Sequence, residues 1–119
     1  MSIQRIQPNA RLSRAVVGNG QVFVTGQVAR DKSEDCAGQT RQVLALIDEL
    51  LHEAGTDRSR ILFAQVWLKN IAEDFDGMNR TWEAWVTPGC VPARATVEAR
   101  LASPDILVEI AVTALAGGQ

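Results

Sequence analysis

The segment from Ile61 to Leu68 most constrains the fold of this chain, because seven of its eight residues are apolar. A strand that is apolar on both faces is typical of a sheet that is buried on both sides. The chain supplies two predicted helices, which cover only one face of such a sheet. We therefore expect another copy of the chain to cover the second face, which predicts a homo-oligomer with clefts between its subunits.

The elements before this strand follow from turn and helix signals. A β-hairpin is predicted over residues 15–25, because a Gly-Asn-Gly turn at residues 18–20 separates two runs of apolar β-forming residues. A helix is expected to start near Ser33, whose side chain suits an N-cap. Apolar residues recur at helical spacing up to Gly55, which is the expected stop.

A second helix and two further strands complete the prediction. The helix is expected over about residues 73–86, and the strands over Ala93–Leu101 and Ile106–Leu115. The predicted order is β-β-α-β-α-β-β, an α+β domain with two helices packed on one face of a mixed sheet. With 119 residues, 46% of them hydrophobic, the chain is expected to form one domain over residues 1–119.

Charge and cysteine content argue against several classes of protein. The net charge of −2 and the pI near 5.3 disfavour a nucleic-acid binder, which usually carries a basic face. There is no apolar run long enough for a membrane span and no apolar core for a secretory signal in the first residues. Cys36, Cys90 and His52 lack metal-ligand spacing, so no metal site is expected. A cytoplasmic protein with free thiols is the simplest interpretation.

The polar face of the strand Ala93–Leu101 is the clearest candidate site. Alternation places Arg94, Thr96 and Glu98 on one face, which we expect to meet a neighbouring subunit. An arginine offers a planar fork that binds a carboxylate through two hydrogen bonds, and Thr96 can add a hydroxyl contact. From the spacing alone, an equally good interpretation is that Arg94 pairs with Glu98 or with a partner's acid as an interface contact.

Five short motifs along the chain occur in an order seen in a known family. They are Val24-Thr25-Gly26-Gln27, Asp74-Phe75 with Met78-Asn79, Trp82-Glu83-Ala84-Trp85, Pro92-Ala93-Arg94-Ala95-Thr96-Val97, and Val108-Glu109-Ile110. With these motifs the chain resembles the RidA/YjgF family over nearly its whole length, and especially the short YoaB-type members. The resemblance implies a chorismate-mutase-like fold and a homotrimer with a central barrel and three clefts between subunits.

The resemblance also implies an activity and a set of site residues. Members of the family hydrolyse reactive enamines and imines, such as 2-aminoacrylate, to 2-oxo acids and ammonia, and others are linked to RNA cleavage or ligand binding. The family's carboxylate-binding arginine falls on Arg94, and Thr96 is implied as the second catalytic position. Further substrate contacts are implied for Thr25, Gly26 and Asn79. The expected partners are a small carboxylate and other copies of the chain, with no cofactor.

Two departures from the family pattern bear on catalysis. The family's Gly-Pro-Tyr segment is replaced by residues 12–14, and the chain has no tyrosine. The deaminases read Glu-Ile-Glu in the last strand, whereas this chain ends that motif in Ala111, which cannot hold a water or accept a proton. A weak deaminase is therefore predicted, and the alternative is a protein that binds carboxylate metabolites without turnover. Whether Glu98 or Glu109 of another chain replaces the missing carboxylate stays open.

Overall fold

A mixed sheet of six strands carries the fold in the computed structural model, which describes residues 2–117. The strand order is β1-β2-β3-β6-β4-β5, and of these neighbours only β4 and β5 run parallel. Both helices lie on one face of the sheet, so the predicted α+β architecture is confirmed. The elements are β1 (Gln4–Pro8), β2 (Ser13–Gly18), β3 (Gln21–Gln27), α1 (Cys36–Glu53), β4 (Ile61–Leu68), α2 (Ile71–Trp85), β5 (Ala93–Glu98) and β6 (Val108–Leu115), with a 3₁₀ turn at Arg58–Arg60.

The strand β1 was not predicted from the sequence. It pairs antiparallel with β2, but only Ile6 among its residues is buried. An edge strand with a single buried side chain gives no apolar alternation that a sequence pattern can detect. The observed order is therefore β-β-β-α-β-α-β-β, one strand longer than the prediction.

The first helix begins slightly later than predicted. Its N-cap is Asp35, whose carboxylate accepts a hydrogen bond from the Gly38 N–H at 2.9 Å. Ser33 instead donates its hydroxyl to the carboxylate of Asp31 at 2.6 Å, inside the preceding turn. Both residue types suit an N-cap, so the sequence pattern alone does not choose between them. The second helix begins earlier than predicted, at Ile71, and strands β5 and β6 are shorter than predicted.

The hydrophobic core lies between the helices and one face of the sheet. On the other face, which we call the open face, no helix or strand within residues 2–117 covers the sheet. Phe23 of β3 and Phe63 of β4 both pair in register with Thr113 of β6 on this face. Their exposed fractions are 47% and 40%. The other open-face residues of the central strands and β5 include Gln65, Trp67, Ala93, Ala95, Val97, Glu109 and Ala111.

Side chains of β4 alternate between the two faces from Phe63 onward, but the alternation that its sequence predicts fails at the start of the strand. The register between β4 and β6 shifts by one residue between Ile61 and Phe63. A bulge of this kind places two residues of one strand opposite one residue of its neighbour. As a result Ile61 is buried with the core, while Leu62 and Phe63 are both exposed.

Gln39 ties two loops to helix α1 and gives the first testable prediction. Its buried side chain donates to the main-chain oxygens of Glu34 and Asp105 at 3.1 and 2.9 Å and accepts from the Leu107 N–H at 3.0 Å. Gln39→Leu leaves these groups unpaired, so we expect the free energy of unfolding to fall by about 2–4 kcal/mol in urea denaturation. Gln4→Leu, at an exposed position on β1, is the control and should change it by less than about 0.5 kcal/mol. Equal losses in both variants would contradict this role for Gln39.

Candidate functional site

Arg94 projects from β5 towards α2. It pairs in register with the buried Ala64 of β4, so its side chain lies on the helix-covered face of the sheet. Its Nη2 donates to Oδ1 of Asn79 at 2.7 Å, and its Nη1 lies 3.6 Å from the Met78 sulfur. The guanidinium carbon stands 5.3 Å from the centre of the Trp82 ring, a cation–π contact. These contacts hold the guanidinium in one orientation.

The predicted alternation of β5 is confirmed, but the face assigned to its polar residues is wrong. Arg94, Thr96 and Glu98 were expected on the face of the sheet that the helices leave uncovered, whereas their register partners on β4 are buried under the helices. The period of two in a strand indicates which side chains share a face. It does not indicate which of the two faces the helices cover.

Glu98 accepts a hydrogen bond from the start of α2 and does not pair with Arg94. Its carboxylate accepts a hydrogen bond from the Ile71 N–H at 3.1 Å, in the first turn of α2. A carboxylate at this place is stabilised by the positive end of the helix dipole. Within residues 2–117, Arg94 forms no ion pair with a carboxylate, so the proposed Arg94–Glu98 pair within one chain is wrong.

A groove of about 530 Å³ runs between α2 and the loop that leads into β5, and we call it the Arg94 groove. Its walls are partly polar, from the helix, and partly apolar, from the loop. The helix contributes Asn79, Trp82 and Glu83, and the loop contributes Pro88, Val91 and Pro92. A concave site that combines apolar walls with a few oriented polar groups is typical of small-ligand binding.

The electrostatics of the Arg94 groove favour an anion. Burial lowers the pKa of Arg94 from its ordinary value, and the nearby carboxylate of Glu83 opposes that shift. An arginine remains charged in either case, because its pKa stays far above neutral pH. A partly desolvated cation interacts more strongly with an anion than a fully hydrated one does. The groove therefore presents one oriented cation from β5 and one carboxylate from α2.

Thr96 lies on the same face of β5 as Arg94 but does not line the Arg94 groove. Its hydroxyl oxygen is buried and makes no hydrogen bond with residues 2–117. Asn79 is thus the one residue of the predicted set that contacts Arg94 directly.

Thr25 and Gly26 do not lie beside Arg94 within one chain. They belong to β3, and two strands stand between β3 and β5, which corresponds to a separation of about 14 Å. Gly26 instead faces Glu109, because a Cβ at this glycine would overlap the Glu109 carboxylate. Burial raises the pKa of Glu109 above its ordinary value. Ala111 follows Glu109 on the open face, so these residues form a second polar region away from Arg94.

Trp82 and Glu83 contribute to the Arg94 groove but were not among the predicted site residues. Trp82 is almost fully buried, with an exposed fraction of 4%, yet its ring also contacts the Arg94 guanidinium. Glu83 had no predicted role. Asn79, Trp82 and Glu83 follow the i, i+3, i+4 spacing that places side chains on one flank of a helix, and this signal points to both residues.

Residues 2–117 contain neither a cluster of metal-ligating side chains nor a helix that could span a membrane. No group of three or more His, Cys, Asp or Glu in residues 2–117 is arranged to hold a metal ion. No helix in that range is both long and apolar enough to cross a membrane. Cys36 is buried in α1, Cys90 is exposed before β5, and both are free thiols.

Sequence comparisons place this chain among known proteins over almost its entire length. A family model described as Endoribonuclease L-PSP matches residues 2–116. A RutC family protein of Haemophilus ducreyi is 48% identical over 112 residues, which covers 94% of this chain and 95% of that protein. The RutC family protein YoaB of Escherichia coli is 40% identical over 114 residues, covering 96% and 98% respectively.

Solved structures show the same likeness in three dimensions. The crystal structure of NMB1025, a member of the YjgF protein family from Neisseria meningitidis, matches with a TM-score of 0.96 and 43% identity, covering 100% of this chain and 98% of that one. A putative translation initiation inhibitor from Salmonella typhimurium matches with a TM-score of 0.87 and 39% identity, covering 96% and 97%. The sheet order and the two helices are therefore those of a known group of proteins.

Proposed function

Since the chain belongs to the Endoribonuclease L-PSP family, which includes the YjgF and RutC proteins it resembles, we propose that it hydrolyses 2-imino acids to 2-oxo acids and ammonia. The observation that carries this proposal is the Arg94 groove. In it an arginine without a carboxylate partner in residues 2–117 is held in place by Asn79 and Trp82. The substrate class is 2-aminoacrylate-type enamines and the imines they form.

Arg94 is suited to binding the substrate carboxylate. A guanidinium carries five N–H donors, of which one is taken by Asn79 and one by the Met78 sulfur. The remaining donors can bind both oxygens of a carboxylate at once, which fixes its orientation as well as its position. A substrate held in this way presents its C2 carbon to the groove, where Glu83 supplies a carboxylate.

The proposed reaction consumes one water and releases one ammonia. Water adds to C2 of the protonated imine and loses a proton, which gives a tetrahedral adduct with a hydroxyl and an amino group on the same carbon. The amino nitrogen takes up a proton, the C–N bond breaks, and the hydroxyl proton leaves as the carbonyl forms. An iminium carbon is already electrophilic, so holding it beside a water gives acceleration without a strong base.

RNA cleavage, which the family's description suggests, is supported less well by this groove. Its lining contains one arginine and one glutamate, so it has no excess of positive charge. A phosphate backbone is usually bound by several basic side chains along a groove. A small monocarboxylate matches the single cation better.

Thr25, Gly26, Glu109 and Ala111 join the site only if a second chain brings its open face to the Arg94 groove. We propose a homotrimer in which the open faces line a central barrel and each cleft draws residues from two chains. The exposed aromatic pair Phe23 and Phe63 supports this assembly, because large apolar patches are rarely left in water.

The assembly gives the second testable prediction. Phe63→Glu places a charge in the apolar contact, so we expect the mass in solution to fall to that of a single 12.9 kDa chain. Light scattering after gel filtration measures this mass. Phe75→Glu is the control, because Phe75 has the same exposed fraction of 40% but lies on α2, away from the open face. A Phe63→Glu variant that keeps the wild-type mass would argue against this interface.

Ala111 favours a second candidate function, the binding of carboxylate metabolites without turnover. The small apolar side chain at this position cannot accept a proton or hold a water. In this case Arg94 would recognise 2-oxo acids and related carboxylates, and the protein would release no ammonia.

A coupled assay decides between the two functions. An amino-acid oxidase generates the imino acid, and semicarbazide traps whatever the protein does not hydrolyse, so turnover lowers the rate of semicarbazone formation. A decrease with the wild-type chain supports the deaminase. If semicarbazone formation is unchanged while 2-oxo acids raise the melting temperature, the binding function is supported instead and the deaminase proposal fails.

A further inference from the structure

A second groove lies on the opposite flank of α2 from the Arg94 groove, between α1 and α2, and we call it the helix groove. Its volume is about 480 Å³. Three arginines line it: Arg41 from α1, Arg58 from the 3₁₀ turn and Arg80 from α2. This concentration of positive charge is notable in a chain whose net charge is −2. The helix groove is thus a basic site on an acidic protein.

One corner of the helix groove is held by several contacts. Arg58 donates from Nη1 to the main-chain oxygen of Trp85 at 2.7 Å, and its Nε lies 3.3 Å from a carboxylate oxygen of Asp48. Its guanidinium carbon also stands 5.1 Å from the centre of the Trp85 ring. The Trp85 indole N–H donates to the other oxygen of Asp48 at 2.9 Å. These contacts position Arg58 without using all of its donors.

The other two arginines are not neutralised by the described chain. Within residues 2–117, neither Arg41 nor Arg80 forms an ion pair with a carboxylate. Both are exposed, and they approach the groove from different helices. Like charges that line one groove repel each other, and an anion between them removes that repulsion.

We propose that the helix groove binds a small organic phosphate. A phosphate dianion has enough oxygens and charge to engage more than one guanidinium, whereas the single Arg94 suits a monocarboxylate. Leu44 and Ala84 provide an apolar surface for the organic part of the ligand. The volume also falls in the range of roughly 300–1,000 Å³ that is usual for small-ligand sites.

This site is independent of the proposed deaminase site. Helix α2 separates the two grooves, because Gly77, Arg80 and Ala84 line the helix groove while Asn79 and Glu83 line the Arg94 groove. The proposed trimer joins chains at the open face and at the Arg94 groove, and the helix groove belongs to neither surface. A ligand can therefore reach it in a monomer and in the proposed trimer alike.

Titration calorimetry with phenyl phosphate tests the proposal. Phenol and inorganic phosphate are titrated separately for comparison, because each carries one of the two chemical groups of phenyl phosphate. We expect phenyl phosphate to bind more tightly than either half, and Arg41→Gln or Arg80→Gln to weaken its binding by about tenfold or more. The double variant should lose binding. Arg11→Gln, an exposed arginine in the turn after β1, is the charge-matched control and should bind as the wild type does.

Several results would overturn the proposal. One is the absence of binding by wild type at millimolar concentrations of phenyl phosphate and inorganic phosphate. Another is binding that persists in the double variant, or that disappears in Arg94→Ala, because either places the phosphate elsewhere. Binding of a single-stranded RNA oligonucleotide at the same arginines without binding of phenyl phosphate would assign the helix groove to a different ligand class.

Discussion

Arg94→Ala is expected to lower kcat/KM for 2-iminopropanoate by about 10²–10⁴, because two charge-assisted hydrogen bonds to the substrate carboxylate are lost. The substitution weakens substrate binding and also removes the orientation of the substrate. Asn79 and Trp82 hold the guanidinium in one position, and the guanidinium in turn orients the substrate carboxylate. The oxidase-coupled semicarbazone assay measures the change.

Two controls separate recognition from a general loss of structure. An imine substrate without a carboxylate should be hydrolysed no more slowly by Arg94→Ala than by the wild type, because it has nothing for Arg94 to bind. Arg94→Lys keeps the charge but not the planar fork, so its activity should fall between those of wild type and Arg94→Ala. Equal losses on both substrates would indicate that Arg94 supports the fold rather than the carboxylate.

Ala111→Glu should raise kcat by about 10²–10⁴, the usual contribution of a positioned general base. Ala111 is on the open face, where no helix of residues 2–117 obstructs a longer side chain. The gain should grow as pH rises through the pKa of the new carboxylate, because only its ionised form accepts a proton. Burial already raises the pKa of neighbouring Glu109. A second carboxylate beside it raises the pKa of Glu109 further and also raises the pKa of the new side chain, because like charges disfavour ionisation.

The matched control for this gain is Ala111→Gln, which adds a similar volume and a hydrogen-bonding group without a base. It should leave kcat near the wild-type value. Arg94 and Ala111 lie on opposite faces of the sheet in one chain, so the gain requires a neighbouring subunit. Adding Phe63→Glu to Ala111→Glu should therefore abolish it. A gain that survives in the monomeric double variant would contradict a cleft built from two chains.

The sequence was sufficient for the elements that have strong periodicity. The apolar run of β4 and the helical spacing of α1 and α2 predicted their positions to within a few residues, because their buried faces need a regular pattern. Strand β1 escaped detection, because a single buried residue, Ile6, contains no period. The bulge at Ile61 was also missed, because inserting one residue breaks an alternation that the pattern assumes to be continuous.

The candidate site could be predicted only in part, because a local sequence pattern does not contain the order of the strands in the sheet. The resemblance brought Arg94 and Asn79 into one set, and the structure places them in contact. The same set included Thr25 and Gly26, which are separated from Arg94 by two strands. A local pattern records which residues share a face, whereas the distance between strands depends on the order in which they join the sheet. That order is a property of the whole chain, so no single motif contains it.

The position of β6 in the sheet has a consequence for how the protein is made. It leaves the ribosome after the other five strands of residues 2–117, yet it lies between β3 and β4 in the centre of the sheet. Until β6 is synthesised, strands β1–β3 and strands β4–β5 form two separate sheets. The edges of β3 and β4 that pair with β6 in the folded protein then have no hydrogen-bonding partner. Such edges readily join other chains. We therefore expect native folding to wait until β6 has been synthesised, and premature termination upstream of Val108 to yield a product that aggregates instead of folding.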